Sequence, residues 1–181
     1  MNFPRFAGFV ESLSFERESL SRLIQECQEH LSERRARQAL AEGDYLNALE
    51  SFKGLPPEVL RSPAQSAGLR RIMEEIMGLA KKSVARKDFV AAGKCFVVLW
   101  REYPMAQQVS LALPFTRNDL DEGINKCRTQ LTREGLDQYR KGNLKESILI
   151  WQGLLQFDPD NAEIQKAVDT ATEQLKKLKD R

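Results

Sequence analysis

The stretch Gly135 to Asn161, GLDQYRKGNLKESILIWQGLLQFDPDN, decides the fold. It reads as two short helices joined at Gly142–Asn143. A glycine followed by a short polar residue permits the tight turn that reverses a helix onto its successor. Before the turn lie the small Gly135 and the aromatic Tyr139. After it comes an apolar run, Ile148, Trp151, Leu154 and Leu155, which Asp158–Pro159 brings to a stop.

The same local pattern occurs at two earlier places. At the first it is Gly43, Asp44, Tyr45, Ala48, Phe52. At the second it is Lys87, Asp88, Phe89, Ala92, Phe96, ending in Tyr103–Pro104. At the third it is Gly142, Asn143, Leu144, Ser147, Trp151. Each has a turn pair, then an apolar residue, a small residue three later and an aromatic four after that. The small residue lets two helices approach closely, and the aromatic fills the space beside it.

On these residues the chain resembles the tetratricopeptide repeat (TPR) family, whose unit is a helical hairpin of about 34 residues. The third copy matches in full. The second matches from Ala80 onward. The first matches through Phe52 and then departs, because Gly54-Leu55-Pro56-Pro57 cuts its second helix short. The copies are degenerate in spacing too: Asp44, Asp88 and Asn143 lie 44 and then 55 residues apart.

Start signals account for the extra length. Ser62-Pro63 with Gln65 forms a capping box with proline at the first helical position. Thr116 caps another helix, with Phe115 stapled against Leu120. First helices over about 63–86 and 117–141 follow, each ~37 Å long at 1.5 Å per residue. A comparable helix spans about 15–42, with Leu20, Leu23, Ile24, Cys27 and Leu31 on one face. The expected architecture is all-α: a single domain over 1–181, an irregular TPR-like bundle with hairpins at about 15–55, 63–104 and 117–159. A capping helix over about 160–179 completes it, with Asp160 as cap and Glu163 closing a capping box.

Two segments fall outside the repeat. Phe3, Phe6, Phe9, Val10, Leu13 and Phe15 sit at helical spacing. They read as a short helix over the first hairpin, or as a self-association or docking surface, or as a shallow membrane contact. Pro104 to Pro114, PMAQQVSLALP, fits both helical and strand periods and reads as a connector across the hairpins, or as a lid.

Composition narrows the function classes. Of the 181 residues 41% are hydrophobic and 30% charged, which places the chain among folded rather than disordered proteins. A net charge of +2 is too near neutral to imply a nucleic-acid partner. Helical-repeat RNA binding through Arg34, Arg35, Arg37, Lys81, Lys82 and Arg86 would want interleaved aromatics for base stacking, and none lies nearby. Cys27, Cys95 and Cys127 share no metal-ligand spacing, have only His30 for company, and read as buried small hydrophobes. No apolar run approaches the length of a bilayer span, and Met1 to Phe15 lacks the form of a signal peptide. Location is therefore expected to be cytoplasmic if the chain is complete, and exported or envelope-tethered if a leader was removed.

No phosphate-binding glycine loop, no nucleophile elbow and no histidine constellation occurs. No catalytic residue, metal or cofactor is expected. The resemblance implies instead a non-catalytic protein-interaction module or assembly scaffold, alternatively an accessory subunit of a bacterial envelope machine. In the family, ligands lie against the inward face of the first helices. Carried over, that face is Glu33, Arg37 and Leu40 in copy one, Met77, Lys81 and Val84 in copy two, and Thr132, Leu136 and Tyr139 in copy three. It implies a groove for an extended or helical peptide with some acidic character. The alternative is that the elongated helices close this face as core.

Overall fold

The structure, a computed structural model, describes residues 4–42, 44–53 and 55–179; the side chains of 4–16, 25, 28, 37, 40, 41 and 179 lie outside the description. Among the described residues the chain is all-helical, with eight α-helices and no strand. They are α1 (Pro4–Ala41), α2 (Tyr45–Lys53), α3 (Pro57–Leu60), α4 (Pro63–Ala85), α5 (Phe89–Gln108), α6 (Arg117–Arg140), α7 (Leu144–Leu155) and α8 (Ala162–Lys179). Packing divides the chain into two compact units, Met1–Ile72 and Met73–Arg181, and the boundary falls inside α4.

The helix starts follow local chemistry. Ser62 Oγ accepts from the Gln65 backbone N–H at 3.4 Å ahead of α4. Thr116 and Asp119 form the reciprocal capping box of α6: Thr116 Oγ1 accepts from the Asp119 N–H at 3.2 Å, and the Asp119 carboxylate accepts from the Thr116 N–H at 2.6 Å. Phe115 and Leu120 are both buried beside it.

Three turns share one hydrogen bond. The N–H groups of Asp44, Asp88 and Asn143 donate to the carbonyls of Ala39, Ser83 and Gln138, each five residues back. This is the bond that closes a helix whose next residue turns left-handed. Lys87 (φ 62°) and Gly142 (φ 79°) both occupy that left-handed position. The equivalence of Lys87 with Gly142 is therefore geometric, although only glycine adopts the conformation without cost. Gly43 and Gly54 lie outside the described residues.

In the first unit α1 packs on α2, burying Ala36, Ala48, Leu49 and Phe52. The Phe52 ring reaches α4, 3.3 Å from where a Cβ on Gly68 would stand. In the second unit consecutive helices pack in order, α5 on α6, α6 on α7 and α7 on α8. Aromatics on small residues set the contacts here. Phe96 of α5 would stand 2.7 Å from a Cβ on Gly123 of α6. A Cβ on Gly135 of α6 would collide with the indole nitrogen of Trp151 on α7. Trp151 is 4% exposed, and Ser147 one turn earlier is fully buried, its hydroxyl donating to the Leu144 carbonyl at 2.9 Å.

Four expectations need correction. The N-terminal aromatics do not form a separate short helix: α1 runs unbroken from Pro4, because the only proline sits in its first turn, where its missing N–H costs nothing. The side chains of that segment, and Phe3 altogether, lie outside the described residues. Pro104 does not end α5, which continues to Gln108. One lost backbone bond there is outweighed by the buried Ala106 and Val109 of the following turn. The remainder of that connector is loop, with Ser110 left-handed and Tyr103 against Phe115 at 6.4 Å between ring centroids. The cap of α8 is Asn161, not Asp160: Asn161 Oδ1 accepts from the Ile164 N–H at 3.1 Å, its amide being oriented by a 2.8 Å bond to Asp158. Finally, only Cys127 is buried; Cys95 is intermediate and Cys27 exposed.

The close approach of α6 and α7 depends on Gly135 and Trp151 together. Trp151→Ala should destabilise the chain by about 3–5 kcal/mol. Gly135→Ala, which overfills the same contact, should cost about 1–3 kcal/mol. Urea unfolding followed by dichroism measures both, and a loss below about 1 kcal/mol for Trp151→Ala would remove Trp151 from the core.

Candidate functional site: the groove between α6 and α8

Thr132, Leu136 and Tyr139 are spaced by four and three residues, so they share one face of α6. Glu163, Lys166, Ala167 and Thr170 share a face of α8 by the same rule. The two faces border one groove of about 390 Å³, with Trp151 of α7 and Ile164 at its base. α8 packs on α7, and the groove lies where the α8 face meets that of α6.

The base is aromatic and apolar. The Tyr139 and Trp151 rings are 5.9 Å apart between centroids and tilted by 39°, within the range of favourable edge-to-face and offset pairs. Among the described residues the Trp151 indole nitrogen has no hydrogen-bond partner; it lies against Gly135. Leu136 stands on the α6 wall, 37% exposed. The small Ala167 and Thr170 keep the α8 wall low. The Thr170 hydroxyl is already committed to the Lys166 carbonyl at 2.8 Å. Glu163 and Lys166 are exposed at the rim and bring one charge of each sign.

A polar clasp holds α8 against this wall. Arg128 Nε of α6 donates to Asp158 Oδ2 at 2.6 Å. Asn161 Nδ2 donates to the same oxygen, while Asn161 Oδ1 caps α8. The Arg128 hydrogen bond holds the Asp158 carboxyl below the usual carboxylate range; partial burial opposes this, and the Asn161 amide adds to it.

Of the residues expected to line an inward face, those of the third copy come together here. Those of the second copy do not join them: on α4, Met77 is buried, Val84 half-buried and Lys81 exposed. In the first copy Glu33 is half-buried, and the side chains of Arg37 and Leu40 lie outside the described residues. Sequence reasoning missed the opposite wall, because α8 reads as a cap whose apolar stripe is spent on closing the bundle. The small Ala167 and Thr170 on that helix were the available signal.

Among the described residues no group of three histidine, cysteine or acidic side chains is placed to hold a metal, and no helix is long and apolar enough to cross a membrane. Comparison with models of known protein families, with curated proteins and with solved structures finds no match.

Two outcomes follow from the titrating groups. Because the folded-state pKa of Asp158 is depressed, its contribution to stability is present above the unfolded value of about 3.9 and lost as pH falls through the folded one. Asp158→Asn should therefore flatten the acid limb of the stability profile below about pH 4 while leaving its shape at neutral pH unchanged, as acid titration of the melting temperature would show. Burial pushes the Cys127 thiol up to about 11, with Lys126 opposing, and burial with the Asp88 charge also raises Cys95. The thiolate is the reactive form, so a thiol reagent at neutral pH should label Cys27 first and leave Cys127 intact until the chain unfolds; peptide mass mapping over time reads the order.

Proposed function

We propose that this chain is a non-catalytic interaction module of TPR-like type, and that the groove between α6 and α8 docks the apolar face of a short segment from a protein partner. The observation that carries the reading is convergence. Three residues placed on one inward face by the repeat pattern, Thr132, Leu136 and Tyr139, border a single groove with an aromatic base. The hydrogen bond shared by the three turns supports the TPR-like part of the reading, since Asp44, Asp88 and Asn143 each donate to the carbonyl five residues back.

What the groove offers is surface rather than reactive chemistry. Apolar burial against Leu136, Tyr139 and Trp151 supplies affinity. The paired rim charges, Glu163 and Lys166, orient a segment carrying one charge of each sign. Such a partner places two or three apolar side chains on one helical or extended face.

A photo-crosslinking amino acid at Leu136 identifies the segment that enters the groove, and calorimetry with the corresponding synthetic peptide then measures it. Leu136→Glu should weaken that binding by at least about tenfold, with the melting temperature unchanged because Leu136 is partly exposed. Unaltered binding of the peptide to Leu136→Glu would move the site off this groove. A matching collapse of the melt would make the face part of the core.

A further inference from the structure

We propose that the groove between α6 and α8 takes its partner as an amphipathic helix, acidic in its first turn and basic in its last, lying antiparallel to both walls; this rests on the docking role proposed for that groove. α7 returns along α6 from the turn at Gly142, and α8 returns along α7, its Leu175 and Leu178 reaching Gly142 to Glu146 at the start of α7. α6 and α8 therefore run in the same direction. Thr132 and Glu163 mark one end of the groove, and Tyr139 and Thr170 the other. Seven residues separate the ends of each wall, about 10 Å at 1.5 Å per residue, which is two turns of a helix laid along it.

The walls decide the form of the partner's backbone. An extended segment points its N–H and C=O groups sideways, into the walls of a groove, where each needs a hydrogen bond. Among the described residues there is no strand edge, and the backbones of α6 and α8 are spent within their own helices. Leu136 and Ala167 are apolar, and the Thr170 hydroxyl is committed to the Lys166 carbonyl. The hydroxyls of Thr132 and Tyr139 and the two rim charges remain, fewer than an extended chain with two polar groups per residue requires. A helix satisfies its backbone internally and presents side chains alone. The low wall at Ala167 and Thr170 leaves room for it. α7 packs on the other side of this same helix pair, so a docked helix completes the packing from the open side.

Charge fixes the direction. On α8, Glu163, Thr170 and Lys177 follow one another at intervals of seven and so lie along one line. On α6, Thr132, Leu136 and Arg140 form a row at intervals of four. Both rows run into an exposed cation just past the Tyr139–Thr170 end. The α8 row starts from an exposed carboxylate at the other end, with Lys166 one turn along. Asp137 and Glu173 sit further round their helices. An acidic first turn beside Arg140 and Lys177, with a basic last turn beside Glu163, matches this gradient. These are also the end charges that a helix's own dipole favours. Such a helix runs against α6 and α8, as α7 does, so its dipole opposes theirs.

Calorimetry with the full chain and three synthetic peptides of about fifteen residues tests this. The first peptide carries an apolar stripe at helical spacing, acidic residues in its first turn and basic ones in its last. The second exchanges the charged turns, and the third is the first with proline at its centre. The first should bind, the second about tenfold more weakly, and the third at least about a hundredfold more weakly. Arg140→Glu with Lys177→Glu, both at exposed sites, should invert the order of the first two with an unchanged melting temperature. No binding of the first peptide at about 100 μM, equal binding of the first two, or indifference to the central proline overturns the proposal. The groove is tested apart from it. If a segment crosslinked at Leu136 tolerates a central proline, docking in the groove stands and the helical form falls. If the first peptide binds Leu136→Glu as tightly as the native chain, the groove falls and the proposal with it.

Discussion

The second unit depends on how closely its helices approach, and that distance is set by aromatic rings lying on residues without side chains. Phe96 on Gly123 joins α5 to α6, and Trp151 on Gly135 joins α6 to α7. A ring on a glycine brings the helix axes nearer than two branched side chains would allow, and the ring's own area supplies the burial. The order α5–α6–α7–α8 follows from these contacts together with the short turns between helices. The unpartnered Trp151 indole nitrogen is the cost: the ring lies where packing is best, not where its N–H could find an acceptor.

The groove is a by-product of the same geometry. Trp151 is drawn toward α6 by Gly135, and Tyr139 stacks obliquely on it. The side chains that would otherwise meet those of α8 are therefore already engaged with α7. On the α8 side Ala167 and Thr170 are too short to close the gap. Two helices that share the neighbour α7 are left with an apolar channel between them, and the residues that stabilise the core also shape the surface.

Much of this architecture is legible in the chain. The Ser62 and Thr116 caps and the turn chemistry at Asp88 and Asn143 placed α4 and α6 to within a residue, and the small-then-aromatic spacing located α7 after Asn143. These are local signals with local causes. What failed was non-local. Pro104 reads as a stop because its effect on its own turn is unfavourable, and only the burial of Ala106 and Val109 further on reverses the outcome. Asp160 and Asn161 are equally good caps in isolation, and the choice is made by Asp158, which is itself held by Arg128 thirty residues earlier. For the site, the α6 wall was visible as a spaced face. The α8 wall was marked only by the small Ala167 and Thr170, since an amphipathic stripe does not itself say which of its residues will meet a neighbour.

The Arg128–Asp158–Asn161 clasp has a mechanical consequence. It fixes the start of α8, and the buried Ile164, Val168 and Ala171 carry the attachment onward along α7 until Leu178 is 60% exposed. The helix is thus held at both ends of the groove wall, by the clasp before Glu163 and by Ala171 just past Thr170, and is loose only in its last turns, beyond the groove. A wall held at both ends resists bending, so a segment entering such a groove would be selected by the size of its side chains rather than accommodated by movement of the helix.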